Sequence, residues 1–235
     1  MSSINPSEIY RLLHAAYGPQ GWWPLHSRRG ETGFDSRGYR LKAAAPALSQ
    51  DEAFEVIVGA VLTQNTNWRN VEKALNNLFT AGIFSPEALN KLSEQDLAQL
   101  IRPSGYYRQK SKRLLRISKE LFCNGELKEM SREELLSLKG IGPETADSIL
   151  LYVYGKRFFI ADLYTRRLSA RLAGAAEMGN YEDVRALYEA QLETDLALYR
   201  EFHALIVQHG KEHCSARPKC TDCPLMKECR YPDAN

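Results

Sequence analysis

Four cysteines near the end of the chain, Cys214, Cys220, Cys223 and Cys229, follow the pattern C-x5-C-x2-C-x5-C. Thiolates in this number hold either a tetrahedral zinc ion or an iron–sulfur cluster. In a reducing cytosol such clustering argues for a metal centre rather than for disulfides. Cys123 stands apart, inside the helical-looking stretch 118–123, and reads as a small buried residue.

A second grouping is Leu138-Lys139-Gly140-Ile141-Gly142-Pro143-Glu144-Thr145-Ala146. Two glycines two apart, between one helix ending at Leu138 and another starting near Pro143, make a tight helix-hairpin-helix turn. Glycine permits positive φ and lets a nucleic-acid backbone come close. The amides opening the second helix suit a phosphate oxygen, and Lys139 adds charge beside them. Beyond the hairpin, Asp162 follows the apolar run 158–161 and precedes a helix, the place of an N-cap. Beside the hairpin and the cysteines it becomes a candidate for chemistry.

The elements that position these residues read as helices. Asn5-Pro6 and Ser85-Pro86 place a cap before a proline in the first turn, and Ser49-x-x-Glu52 and Ser131-x-x-Glu134 are capping boxes. Segments 50–63, 69–80, 110–122 and 143–154 repeat their apolar residues at three and four. Strand patterns are scarce, and Asn124-Gly125 is placed after a helix rather than between strands. Residues 18–45, rich in glycine and proline and followed by Pro46, predict a long loop. The fold class is all-α.

The chain has 235 residues, 44% hydrophobic and 26% charged, the composition of an ordinary globular protein. Thirty-one basic against 29 acidic side chains leave +2, which by itself points to no nucleic acid. Locally the balance differs: residues 102–119 carry Arg102, Arg108, Lys110, Lys112, Arg113, Arg116 and Lys119 and only basic charges before Glu120. The longest apolar run, 56–62, falls far short of a membrane span. With no signal-peptide pattern at the start, a cytoplasmic protein is expected, nucleoid-associated in a prokaryote.

This combination resembles the helix-hairpin-helix DNA glycosylase superfamily, in its endonuclease III-like branch with a C-terminal [4Fe–4S] loop. The likeness runs from about residue 45 to Cys229. It rests on the hairpin, on Asp162 at the catalytic-aspartate position, on the four cysteines and on Leu62-Thr63-Gln64-Asn65-Thr66. In that last segment the family places a glutamine, here Gln64, which fills the gap left by a flipped nucleotide. The first cysteine arm is one residue shorter than the family's usual x6.

Within the branch the chain is similar to the 3-methyladenine DNA glycosylase III family. The matching words are Gly21-Trp22-Trp23-Pro24, Val61 to Thr66, Arg102-Pro103-Ser104-Gly105-Tyr106-Tyr107-Arg108-Gln109-Lys110, and Gly140-Ile141-Gly142 followed by Glu144. Bifunctional relatives carry a lysine where this chain has Glu144, and a carboxylate forms no imine.

The resemblance implies a monofunctional enzyme, without lyase activity, that hydrolyses the N-glycosidic bond of alkylated purines through Asp162. The base pocket would be Trp22, Trp23 and Trp68, the chain's three tryptophans, whose ring faces attract a cationic purine. Gln64, Lys139, Gly140 and Gly142 would contact DNA, with a further wedge near Pro103–Tyr107, and Cys214, Cys220, Cys223 and Cys229 would ligate a [4Fe–4S] cluster. The expected organisation is two helical lobes: a barrel-like domain at 46–156, and a second domain of 1–45 plus 157–235 holding the cluster loop. The expected partner is double-stranded DNA with a damaged base, bound by a monomer and with no membrane. The alternatives are a glycosylase for oxidised or mismatched pyrimidines and a non-catalytic DNA-binding or redox module.

Overall fold

A computed structural model describes residues 5–41 and 47–231, which contain eleven α-helices and one two-stranded sheet. The capping signals start helices where the sequence places them. Asn5 accepts from the Glu8 amide ahead of α1 (Pro6–Tyr17). Ser49 and Glu52 form a reciprocal capping box ahead of α2 (Gln50–Thr63), as do Ser131 and Glu134 ahead of α7 (Arg132–Ser137). Such caps satisfy amides that a helix start leaves without partners.

The chain divides into two compact units. One comprises Trp23–Arg40 and Ala45–Tyr154. Around α2 it gathers α3 (Trp68–Thr80), α4 (Pro86–Asn90), α5 (Glu94–Leu100), α6 (Tyr107–Leu121), α7 and α8 (Pro143–Ser148). Helix α2 is buried on every side from Glu52 to Leu62, which explains its poor polar–apolar segregation. After α8 the backbone continues as a π-helical turn, Ile149–Val153, so the expected single helix over 143–154 changes its winding midway.

The other unit comprises Met1–Trp22, Leu41–Ala44 and Gly155–Asn235. It holds α1, α9 (Leu163–Ala173), α10 (Tyr181–Gln191) and α11 (Leu196–Glu212), then the cysteine loop. Its core is aromatic. Phe159 stacks on Tyr188 with ring centroids 4.7 Å apart and meets Tyr199 and Phe202 edge-on, while Tyr10 of α1 packs edge-on to Phe202 of α11.

Three expectations need correction. Asn124-Gly125 does close a hairpin, between β1 (Phe122–Cys123) and β2 (Glu126–Leu127). Both turn residues have positive φ, 51° and 83°, as the tight hairpin turn requires. Strands of two residues carry no alternation to read. Cys123, on that hairpin, is exposed rather than buried. Residues Trp23–Arg40, expected with the terminal segments, group with the central unit because α2 binds them: Glu55 accepts the His26 and Ser27 amides, and Arg28 Nε lies 2.6 Å from Glu52. Residues 42–46, the end of the expected loop and its Pro46, lie outside the described residues.

Candidate active site and DNA-contacting turns

The buried run Phe159-Ile160-Ala161 delivers Asp162 to the start of α9, where it is only 8% exposed. Its Oδ1 accepts the Thr165 amide at 2.8 Å, the N-cap bond expected there. Its Oδ2 lies 3.7 Å from His203 Nε2, on α11. Burial by itself would raise the carboxyl's pKa. The nearby His203 ring, with the Thr165 contacts, outweighs it and holds Asp162 below the usual aspartate value. The Trp22 ring meets His203 edge-on at 5.4 Å, and the Lys211 ammonium lies 5.8 Å from the Trp22 ring centre. Sequence reasoning missed His203. It stands in the apolar run 202–207, where a lone histidine gives no sign that it faces a carboxylate.

In the central unit the hairpin has the geometry its glycines suggest. Leu138 O accepts the Ile141 amide at 3.0 Å, and Gly140 sits at φ +103°. A side chain there would strike Arg113 Cδ at 2.7 Å. Gly142 is different. Its φ of −98° suits any residue, and a Cβ would meet nothing within 4 Å. The fold of this unit therefore does not demand glycine at 142, and the open space beside its backbone is available to something outside the chain. Lys139 and Glu144 are exposed on either side.

Gln64 caps the C-terminus of α2 and turns its amide onto this hairpin. Nε2 donates to Gly140 O and Thr145 Oγ1, both at 3.0 Å, and Oε1 accepts from Arg113 NH1 at 2.8 Å. To enter a gap in a base stack, Gln64 would have to release these three bonds.

Trp23 and Trp68 come together in the central unit. Trp23, 8% exposed, meets Trp68 and Tyr152 edge-on at 5.5 and 5.2 Å. Trp68 Nε1 is buried with no hydrogen-bond partner among the described residues. Trp22 belongs to the other unit, beside His203. The basic stretch divides as well. Arg102, Arg108, Lys112, Arg116 and Lys119 are exposed and Arg113 is half-buried, whereas Lys110 is 1% exposed with its ammonium on the carbonyls of Leu62 and Ser104. Lys110 is thereby withdrawn from any phosphate-contacting surface.

All four clustered cysteines line one small pocket, partly open to solvent, together with Arg171, His209 and Leu225. No carboxylate lines it. Arg171 NH1 lies 3.1 Å from Cys214 Sγ and 2.8 Å from Ser215 O, and Arg167 Nε donates to Cys214 O at 2.8 Å. The helix capped by Asp162 thus holds the cysteine loop through its arginines. Four thiols with adjacent cations fit an anionic, thiolate-ligated centre. Among the described residues, no three His, Cys, Asp or Glu side chains already stand at metal-binding distances.

Residues 58–193 match the HhH-GPD superfamily base excision DNA repair protein family. A protein of Methanocaldococcus jannaschii, provisionally named a DNA repair glycosylase, is 38% identical over 232 residues, covering 94% of each chain. Endonuclease III of Thermotoga maritima is 32% identical over 185 residues, 77% of this chain and 84% of that one. Among solved structures, the 3-methyladenine DNA glycosylase MagIII of H. pylori, bound to 1,N6-ethenoadenine, superposes with a TM-score of 0.70. It shares 27% identity over 88% of this chain and 98% of its own.

Proposed function

The chain belongs to the HhH-GPD superfamily and is a base excision DNA glycosylase, and we propose that it is a monofunctional one acting on alkylated purines. The observation that carries this reading is Glu144, exposed in the first turn of α8 where bifunctional relatives place their lysine. With a carboxylate in that place the covalent imine route is closed, and water is left as nucleophile. The aromatic residues support the substrate class. Alkylation puts positive charge on a purine, and electron-rich ring faces attract it by roughly 0.5–2 kcal/mol. Trp22, Trp23 and Trp68 are the residues we assign to the base. The solved relative of H. pylori, a 3-methyladenine glycosylase by name, agrees with that class.

In the proposed reaction the damaged nucleotide leaves the stack at a cost lowered by its weak pairing. Gln64 and the exposed Tyr106 turn meet the opened stack, and the hairpin backbone at Lys139, Gly140 and Gly142 takes a phosphate. The C1′–N bond breaks with its electrons going to the cationic purine, which departs neutral. Asp162 stabilises the oxocarbenium-like sugar and takes a proton as water forms the new C1′–O bond. Oδ1 is engaged in the cap, so Oδ2 is the oxygen for this work. The leaving base needs little acid help, and no second carboxylate is required.

Cys214, Cys220, Cys223 and Cys229 would hold a [4Fe–4S] cluster. That group would supply a rigid cross-link of the C-terminal loop and no glycosylic chemistry. Arg167 and Arg171 join the loop to α9 from the protein side.

Likeness to endonuclease III favours a second reading, excision of oxidised or mismatched pyrimidines. Duplexes carrying single lesions separate the two. The first predicts release of 3-methyladenine by the wild type, its loss in Asp162→Asn, and no borohydride-trapped adduct. Release of oxidised pyrimidines alone, or a trapped adduct in high yield, would overturn it.

A further inference from the structure

Helix α6 carries most of the basic stretch, and two of its residues three apart, Lys110 and Arg113, point inward on one face. Lys110 Nζ donates to Leu62 O at 2.8 Å and to Ser104 O at 2.7 Å. Leu62 O lies in the last turn of α2, where helix carbonyls lack intrahelical partners. Ser104 O closes the short 3-10 turn Arg102–Ser104.

Just beyond each carbonyl the chain bends through a non-glycine residue in the left-handed region, Asn65 at φ 53° and Tyr106 at φ 46°. Such conformations cost on the order of 1–3 kcal/mol and persist only where the surroundings over-determine them. Both residues are exposed, Tyr106 at 65%. One buried ammonium therefore fastens the roots of two strained, outward-facing turns.

Arg113 adds the hairpin. It holds Gln64 Oε1, Gln64 holds Gly140 O and Thr145 Oγ1, and the Arg113 stem fills the space a side chain at 140 would need. Gln64-Asn65, Gly105-Tyr106 and Lys139–Gly142 are thus braced from a single helix.

We propose that Lys110 and Arg113 are positioning residues, which set these three turns as one rim for opening a DNA stack, and that neither is a phosphate ligand. The proposal rests on the glycosylase reading above and assigns a different job to the inward-facing pair of the basic stretch. Burial, with Arg113 adjacent, lowers the Lys110 pKa to about 8, in keeping with an ammonium committed to the protein interior. Arg113 acts through Gln64, so their losses overlap instead of multiplying.

The experiment measures DNA affinity across a salt series, melting temperature, and single-turnover excision from two duplexes: one fully stacked, the other with the lesion opposite an abasic site, where extrusion is cheaper. Exposed controls Lys112→Ala and Arg116→Ala should each lower the log–log salt slope by about 1, as phosphate contacts do. Lys110→Met and Arg113→Ala should leave the slope unchanged. They should slow excision from the stacked duplex by about tenfold, or about 1.4 kcal/mol, and from the other duplex by much less. Arg113→Ala combined with Gln64→Ala should be no slower than the slower single variant, and Arg113→Lys should recover part of the rate.

A slope lowered by about 1 in Arg113→Ala would overturn the proposal, as would multiplicative losses in the double variant or equal slowing on both duplexes. If Lys110→Met does not fold, the Arg113 and Gln64 series decides alone. Release of oxidised pyrimidines in place of 3-methyladenine, with the same penalty on the stacked duplex, would sink the alkylated-purine reading and leave the brace standing.

Discussion

Asp162 divides its two oxygens between different partners: Oδ1 accepts the Thr165 amide at 2.8 Å, and Oδ2 faces His203 Nε2 at 3.7 Å. One oxygen starts a helix, and the other stays beside a group able to carry positive charge. Because the folded pKa is lowered, the carboxylate stays ionised as pH falls from neutrality, and its share of stability disappears only on acidification through that lowered value. The excision rate should therefore show no acidic limb from this group between about pH 5 and 8. His203→Leu removes the partner and leaves burial, which raises the pKa, so an acidic limb should move toward neutrality. An unshifted pH–rate profile in His203→Leu would refute the coupling.

The two hairpin glycines should fail in different ways. Gly140→Ala puts a methyl group against Arg113 at positive φ and should cost about 1–3 kcal/mol of stability, read as a lower melting temperature. Gly142→Ala enters open space at an ordinary φ, so stability should change by less than about 0.5 kcal/mol. Its DNA affinity should instead fall about tenfold, or about 1.4 kcal/mol. Unchanged affinity in Gly142→Ala would remove the hairpin backbone from the DNA contact.

Arg132 on α7 and Asp147 on α8 pair at 2.7 Å behind the hairpin, with the Asp147 side chain fully buried. Arg132→Met should destabilise by about 3–5 kcal/mol in urea unfolding, because it removes the cation from a buried ion pair. Adding Asp147→Leu should restore most of that loss. If the double variant is no better than the single, the cost lies in packing and not in charge.

Purified protein should be brown, with iron and acid-labile sulfide, and Cys223→Ser should lose the colour. Colourless protein carrying one zinc would reassign the four thiols to the other centre that their spacing allows.

Much of this was legible from local chemistry. Caps at Asn5, Ser49 and Ser131 announce helices because a side chain three residues from its amide partner needs no distant information. Asp162 was legible as a cap for the same reason, and the cysteines through spacing alone. What stayed hidden depends on residues far apart in the chain. Lys110 looks like its basic neighbours, and only the arrival of Leu62 O and Ser104 O shows that it points inward. Gln64, marked for a DNA gap by family resemblance, is bonded to a hairpin some seventy-six residues away. No pattern in a single sequence reports such a meeting.

The order of synthesis sets a constraint on this molecule. Tyr17 at the end of α1 bonds His209 of α11, 192 residues later, and Tyr10 packs on Phe202 of the same helix. A nascent chain therefore makes α1 long before α11, and that helix waits for the intervening residues before it finds its partner. The central unit, by contrast, has all its residues once Tyr154 has emerged. Ribosomal pausing before α11 would leave Tyr10 and Tyr17 without these two contacts, and a chaperone or protease would meet α1 in that interval.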